Sequence, residues 1–297
     1  MASLMDIRRK IKSVKATEQI TRAMKMVAAA RMRRSQATIL AARPFAVKME
    51  ELVRQLADLQ EELELSGDES HLHPFLDHDR KPGRDALVLV TGDKGLCGAF
   101  NTNLVRQAVA WLRERQGAEV FVAVAGRKGR DFLRRVKSAD MTILTELAGI
   151  FPRVSYAHAE LLGKVLMDAF IEKGLSGVTV IYNEFKSVAQ QRVVLHPLLP
   201  IPPLEPGRSS RREFSYEPGR KELLAALLPR YVKAQIYRIL LESQAAELAA
   251  RMNAMDSASK NARELREALN LDLNRKRQAG ITNEIAELVG GAEALVS

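Results

Sequence analysis

The stretch from Glu222 to Val289 holds one proline, Pro229, near its start, and no glycine before Gly280. Ile236, Ile239, Leu240, Leu248, Met252, Met255, Leu265, Leu269, Ile281, Ile285 and Leu288 recur mostly three or four residues apart, or at sums of those steps. That is helix period. At 1.5 Å per residue the predicted helix is about 100 Å long. A helix of that length exceeds what an ordinary globular domain encloses. It must pair with another long helix, project from a body, or do both.

A second long helix is predicted at the other terminus, over residues 1–65. Ile7, Ile11, Val14, Ile20, Met24 and Val27 form its apolar stripe, followed by the small residues Ala28, Ala29 and Ala30. From Met1 to Arg34 ten Lys or Arg face only Asp6 and Glu18; further on, Glu50, Glu51, Asp58, Glu61, Glu62 and Glu64 turn the helix acidic. Pro44 lacks the backbone donor a helix interior needs, and Arg43 before it is biased away from helix. A break, a kink or a bend is expected there. The fold class predicted is α/β: a long antiparallel coiled coil of the two terminal helices, with a Rossmann-like α/β domain inserted between its arms.

Residues 66–84 read as a linker, opened by Ser66-Gly67 and closed by Lys81-Pro82-Gly83. His71, His73 and His78 with Asp77 and Asp79 are metal-ligand types, but their spacing matches no zinc pattern, so a solvated loop is expected. Residues 85–200 read as the α/β domain. Ala86–Val90 is a continuous apolar run suited to a strand buried on both faces. Further strands are predicted over Val120–Val124, Val178–Tyr182 and Arg192–Leu195, and helices over Thr102–Trp111, Asp131–Val136 and Tyr156–Phe170. Alternation of strand and helix implies a largely parallel sheet. A proline-rich segment with Arg208, Arg211 and Arg212 then forms a linker, 201–220, into the terminal helix, 221–297.

The function classes narrow from here. No run of 18 apolar residues occurs, which speaks against a transmembrane helix. The first residues have no apolar core of a secretory signal. A single cysteine, Cys97, excludes an internal disulfide and fits a reducing compartment. The net charge of +10 suggests an anionic partner.

Gly92-Asp93-Lys94-Gly95-Leu96-Cys97-Gly98 lies between a strand and a helix, where phosphates are often held. Its glycine spacing fits neither the P-loop nor the dinucleotide fingerprint. Gly126-Arg127-Lys128 stands where a ribose-binding acid would be expected. The loop therefore reads as a tight packing turn, with no nucleotide-binding residues. Neither His158, in a helix, nor His196, beside a proline, has a nucleophile context, and Cys97 reads as a small buried hydrophobe. No catalytic residue, metal ligand or cofactor is expected. A free-standing basic coiled coil that binds nucleic acid is the alternative, although its charges overlap the apolar stripe and no aromatics lie among them.

Three stretches together resemble the gamma subunit of F-type ATP synthases. They are Ile7–Val14 with Ile20–Ala28; Thr91–Asn103, including Gly95-Leu96-Cys97-Gly98 and Asn101; and Ala250–Met255 with Asn274-Arg275-Lys276-Arg277-Gln278 running on through Ile281, Thr282, Glu284, Glu287, Gly291 and Ala292. Leu273 stands where the family commonly has an aromatic, and the paired-cysteine insertion of chloroplast forms is not seen.

The resemblance implies a non-catalytic central-stalk rotor. Its coiled coil would turn inside a hexamer of alpha and beta subunits. Its α/β domain would sit against the epsilon subunit and the membrane c-ring. That would couple proton or sodium flow to ATP synthesis and hydrolysis. It further implies hexamer contact or coupling roles for Met24, Lys25, Arg251, Arg277, Gln278, Thr282, Glu284 and Glu287, and c-ring or epsilon contact for Tyr216 and Glu217. The basic residues Arg22, Lys25, Arg31, Arg33 and Arg34 would face an acidic loop on beta. The expected place is the cytoplasmic face of a bacterial inner membrane, peripheral and reached only through the c-ring, with no nucleic-acid partner.

Overall fold

The computed structural model describes residues 3–65, 73–136, 141–151, 153–202 and 220–296. Ten elements follow in order. They are α1 (Leu4–Leu65), β1 (Arg84–Val90), α2 (Phe100–Arg113), β2 (Glu119–Ala125), α3 (Arg127–Leu133), β3 (Met141–Leu147), α4 (Tyr156–Glu172), β4 (Gly177–Phe185), β5 (Gln191–Leu199) and α5 (Arg220–Val296). The chain divides into two compact units: Met1–Ala29 with Arg251–Ser297, and Ala30–Ala250.

In the larger unit the five strands lie in the order β3-β2-β1-β4-β5. The first four are mutually parallel, and β5 returns antiparallel on β4. Side chains alternate across a strand, so the sheet sorts its apolar residues into two cores. Ala86, Val88, Val90, Phe121, Ala123, Val178 and Val180 face α4 and the first half of α5. Leu87, Leu89, Val120, Val122, Val124 and Ile181 face α2 and α3, with Ala246 of α5 completing that layer. β1 sits centrally and buries all of Ala86–Val90.

Two glycines permit close approach. A Cβ on Gly163 of α4 would lie 3.0 Å from Lys233 Cγ and 3.3 Å from Ile236 Cδ1 of α5. Gly126, at φ +101°, is tighter: a Cβ there would lie 2.1 Å from the carbonyl oxygen of Thr91.

Several boundaries differ from the sequence expectation. β3 was not foreseen. It is an edge strand whose side chains are mostly half-buried, so Met-Thr-Ile-Leu-Thr-Glu-Leu carries no apolar run. β5 runs on to Leu199 and takes Pro197 into the sheet, opposite Thr179. An edge strand tolerates proline because one side needs no donor. α3 begins at Arg127, right after Gly126.

Within the first predicted linker, residues 66–72 lie outside the description, His71 among them. The later part is a loop with His78 and Asp79 exposed, but it is anchored at two places. Phe75 and Leu76 are buried, Arg80 lies 4.0 Å over the Phe170 ring, and its Nη1 donates to the carbonyls of Phe170 and Leu175. α1 continues through Pro44. Pro44 is exposed, so water can satisfy the carbonyl that loses its partner.

Candidate functional site

The smaller unit is an antiparallel helix pair. Lys25 Nζ lies 2.6 Å from Asp256 Oδ1, and Glu18 lies 3.3 Å from Arg263 Nε and 3.0 Å from Arg266 Nη1. As the α1 number falls the α5 number rises, which fixes the antiparallel sense and the register. The residues of α1 that turn inward here are Ile7, Ile11, Val14, Glu18, Thr21, Lys25 and Ala28. Their steps alternate four and three, the heptad spacing of a coiled-coil seam. On α5 the matching set is Met255, Ser259, Ala262, Arg266, Leu269 and Leu273.

The expected stripe is therefore corrected. Ile20 and Val27 are 59 % and 51 % exposed. The seam passes instead through Glu18, Thr21 and Lys25. Their polar groups are accommodated individually. Glu18 meets the two arginines; Thr21 Oγ1 donates to the carbonyls of Thr17 and Glu18; Lys25 meets Asp256. Hydrogen bonds from Lys25 and then Lys260 hold the Asp256 carboxyl below the usual carboxylate range.

Register decides where the family-implied residues fall. Met24 is half-buried on α1, beside the Lys25–Asp256 contact. Arg251 is half-buried on α5, five residues before Asp256, or about 7.5 Å along the axis. The pairing puts Leu4, where α1 begins, level with about residue 277, counting α-helical turns. Gln278 onward thus extends past the start of α1, for about 28 Å at helical rise. Arg277, Gln278, Thr282, Glu284 and Glu287 are all exposed in or beside this overhang, with Thr282 Oγ1 donating to the Gln278 carbonyl at 2.9 Å. Ile281, Ile285, Leu288 and Val289 share one face of it and are 48–74 % exposed. Tyr216 and Glu217 lie outside the described residues.

The glycine loop is built as a packing turn. Gly92 N–H donates to Asn101 Oδ1 at 2.9 Å, and Asn101 Nδ2 donates to the Lys94 carbonyl. Glu247 of α5 packs its Cγ 3.4 Å from where a Cβ on Gly92 would stand. Asp93 does more than the sequence reading assigned to it. Its Oδ1 accepts from Arg127 N and Gly149 N, and its Oδ2 accepts from Phe151 N, at 2.8–2.9 Å. One buried carboxylate thereby ties together the turns after β1, β2 and β3. An acid immediately after a buried strand and its glycine was the signal available for it.

The remaining titratable residues have structural surroundings. His158 Nδ1 accepts from Ser155 N at the start of α4. His196 on β5 is pushed down to about 4, by burial first and then by the Arg238 charge. Burial raises both Glu242 and Tyr182 on the same side of the sheet. Among the described residues no cluster of His, Cys, Asp and Glu is arranged to hold a metal, and no helix is long and apolar enough to cross a membrane.

A family model described as ATP synthase matches residues 3–295. The chain is 43 % identical to the ATP synthase gamma chain of Elusimicrobium minutum, with 99 % of both chains covered. It is 40 % identical to that of Chlorobium phaeobacteroides, again over 99 % of each. The chain belongs to the ATP synthase gamma-chain family. This removes the free-standing nucleic-acid-binding alternative. Among solved structures, a central-stalk and c-ring structure of Tetrahymena thermophila mitochondrial ATP synthase has a chain 28 % identical, with a TM-score of 0.58, covering 81 % of this chain and 99 % of that one. A chain of the Euglena gracilis mitochondrial ATP synthase, 19 % identical, has a TM-score of 0.67 over 98 % of this chain and 94 % of that one, and shares the fold.

Proposed function

We propose that the chain is the central-stalk rotor of an ATP synthase, carrying torque between the c-ring and the catalytic alpha–beta hexamer. Rotation couples proton or sodium translocation to ATP synthesis and hydrolysis. The observation that carries this reading is the overhang of α5. A lone helix with Ile281, Ile285, Leu288 and Val289 exposed on one face is suited to turning against an apolar sleeve. Arg277, Gln278, Thr282, Glu284 and Glu287 surround that stripe and supply the polar contacts to the hexamer. Met24, Lys25 and Arg251 form a second contact lower on the coil. Tyr216 and Glu217 face the c-ring and epsilon. The chain contributes no catalytic residue, cofactor or metal, and the Gly92–Gly98 loop serves packing. It sits on the cytoplasmic face of a bacterial inner membrane, held there only through the c-ring.

The test is reconstitution with alpha and beta subunits from the same source. A complex with one copy per hexamer is expected. Changing Ile281, Ile285 and Leu288 together to Ser should weaken that complex and impair its ATPase without altering the melting of the isolated chain. No association of the unaltered chain with alpha and beta would overturn the reading.

A further inference from the structure

Arg31, Arg34, Ser35 and Thr38 recur on one face of α1 at helical spacing. With Arg153, from the loop between β3 and α4, and Gln244 of α5 they line a cavity of about 320 Å³ in the larger unit. Two segments far apart in sequence, α1 and the loop before α4, thus bring three arginines to one concavity, and α5 supplies its third wall. Among the described residues none of the three is in an ion pair. Like charges brought together without a counter-charge repel one another.

Val154, Leu241 and Leu248 give the rest of the lining an apolar part, and its polar side chains are engaged within the protein, which leaves the arginines to meet an anion. Ser35 Oγ donates to Gln244 Oε1 at 3.2 Å, and Thr38 Oγ1 donates to the Arg34 carbonyl at 3.1 Å. Both hydroxyl hydrogens are therefore directed away from an incoming anion. Arg153 stands two residues after Phe151, whose amide is fixed on Asp93, so its backbone is anchored. Planar guanidinium groups fit phosphate oxygens in pairs of parallel hydrogen bonds. The volume is at the lower end of small-ligand sites, and so encloses a short phosphate chain better than a whole nucleotide.

We propose that this cavity binds a phosphate-class polyanion, either free pyrophosphate or the phosphate tail of a nucleotide whose base stays outside. The test is calorimetric titration of the full chain at fixed ionic strength with pyrophosphate, ATP and adenosine. Pyrophosphate is expected to bind, and adenosine is not. ATP binding no tighter than pyrophosphate assigns the site to the free anion; ATP binding tighter assigns it to the nucleotide tail. Arg153→Gln should weaken binding at least tenfold, and Arg31→Gln with Arg34→Gln should do the same, with circular dichroism unchanged. Arg153→Lys should fall between, because it keeps charge and loses the paired geometry. Absence of pyrophosphate binding, or affinity unchanged in both folded Gln variants, would overturn the proposal. Either result leaves the rotor reading untouched, since association with alpha and beta is a separate measurement.

Discussion

α5 lives in two different environments. In the larger unit seven successive residues, Ser243–Ala249, are buried, so every side of the helix is covered there. In the smaller unit only Met255 and Ala262 of the described α5 residues are buried. The first stretch continues a helix whose apolar residues from Leu224 to Leu240 pack on one core of the sheet, and its own Ala246 completes the other. The second is held by a narrow seam whose middle is charged and small. Apolar packing is not screened by salt, whereas partly exposed ion pairs are. The same helix is therefore firmly set at one end and only lightly clasped at the other. A helix pair meant to turn against other surfaces gains from such a seam, because few of its contacts are shape-specific.

Substitutions should do most damage in the sheet and least in the coil. Gly126→Ala should be the most damaging, because the added Cβ meets the Thr91 carbonyl at 2.1 Å and the φ of +101° disfavours any side chain. A loss of about 4 kcal/mol or outright failure to fold is expected, read by urea denaturation. Leu166→Ala removes a fully buried side chain between α4 and the sheet and should cost about 3 kcal/mol in the same assay. A near-neutral result would mean that this core is less closely packed than its burial implies.

His196 should make the larger unit acid-sensitive. Its ordinary value is 6.5 and its folded value is about 4. Between these the unfolded chain takes up a proton that the folded chain refuses. The contribution is complete above pH 6.5 and is lost as the pH falls toward 4. It should reach on the order of 2 kcal/mol and be abolished in His196→Leu. Melting curves from pH 7 to 4.5 that run parallel for the two proteins would refute this.

Glu18→Ala should cost only about 1 kcal/mol, confined to the coil. Hydrogen exchange should quicken around Glu18 and Arg263 and leave β1 unchanged, and high salt should reproduce part of the effect. Protection lost equally in both units would show the seam to be more than a light clasp.

Much of this was legible beforehand, for physical reasons that can be named. The terminal helices and β1, β2 and β4 announce themselves through period and apolar runs, which depend on near neighbours only. Ile7, Ile11 and Val14 mark the start of the seam, but beyond them hydrophobicity does not mark it. Glu18 and Lys25 are inward-facing only because Arg263, Arg266 and Asp256 stand across from them, more than two hundred residues away. Pairing of that kind leaves no local trace. β3 escaped for a related reason: an edge strand needs no continuous apolar run. The overhang was legible as helix but not as unpartnered helix, because its length past α1 follows from register. Asp93 stands out little in the sequence, since its three amide donors come from turns that adjoin it only after folding.

Asp93 also sets how the chain can vary. Its two oxygens take three N–H groups, one of them two and the other one. Asparagine, nearly identical in shape, has one acceptor oxygen and turns two hydrogens toward donors. Glutamate has the chemistry but is a methylene too long for the space. Of all the positions in the glycine loop, this is the one where the mildest-looking replacement would be among the worst. A saturation library should tolerate little there besides aspartate, while exposed Leu96 nearby accepts many residues that can adopt its backbone.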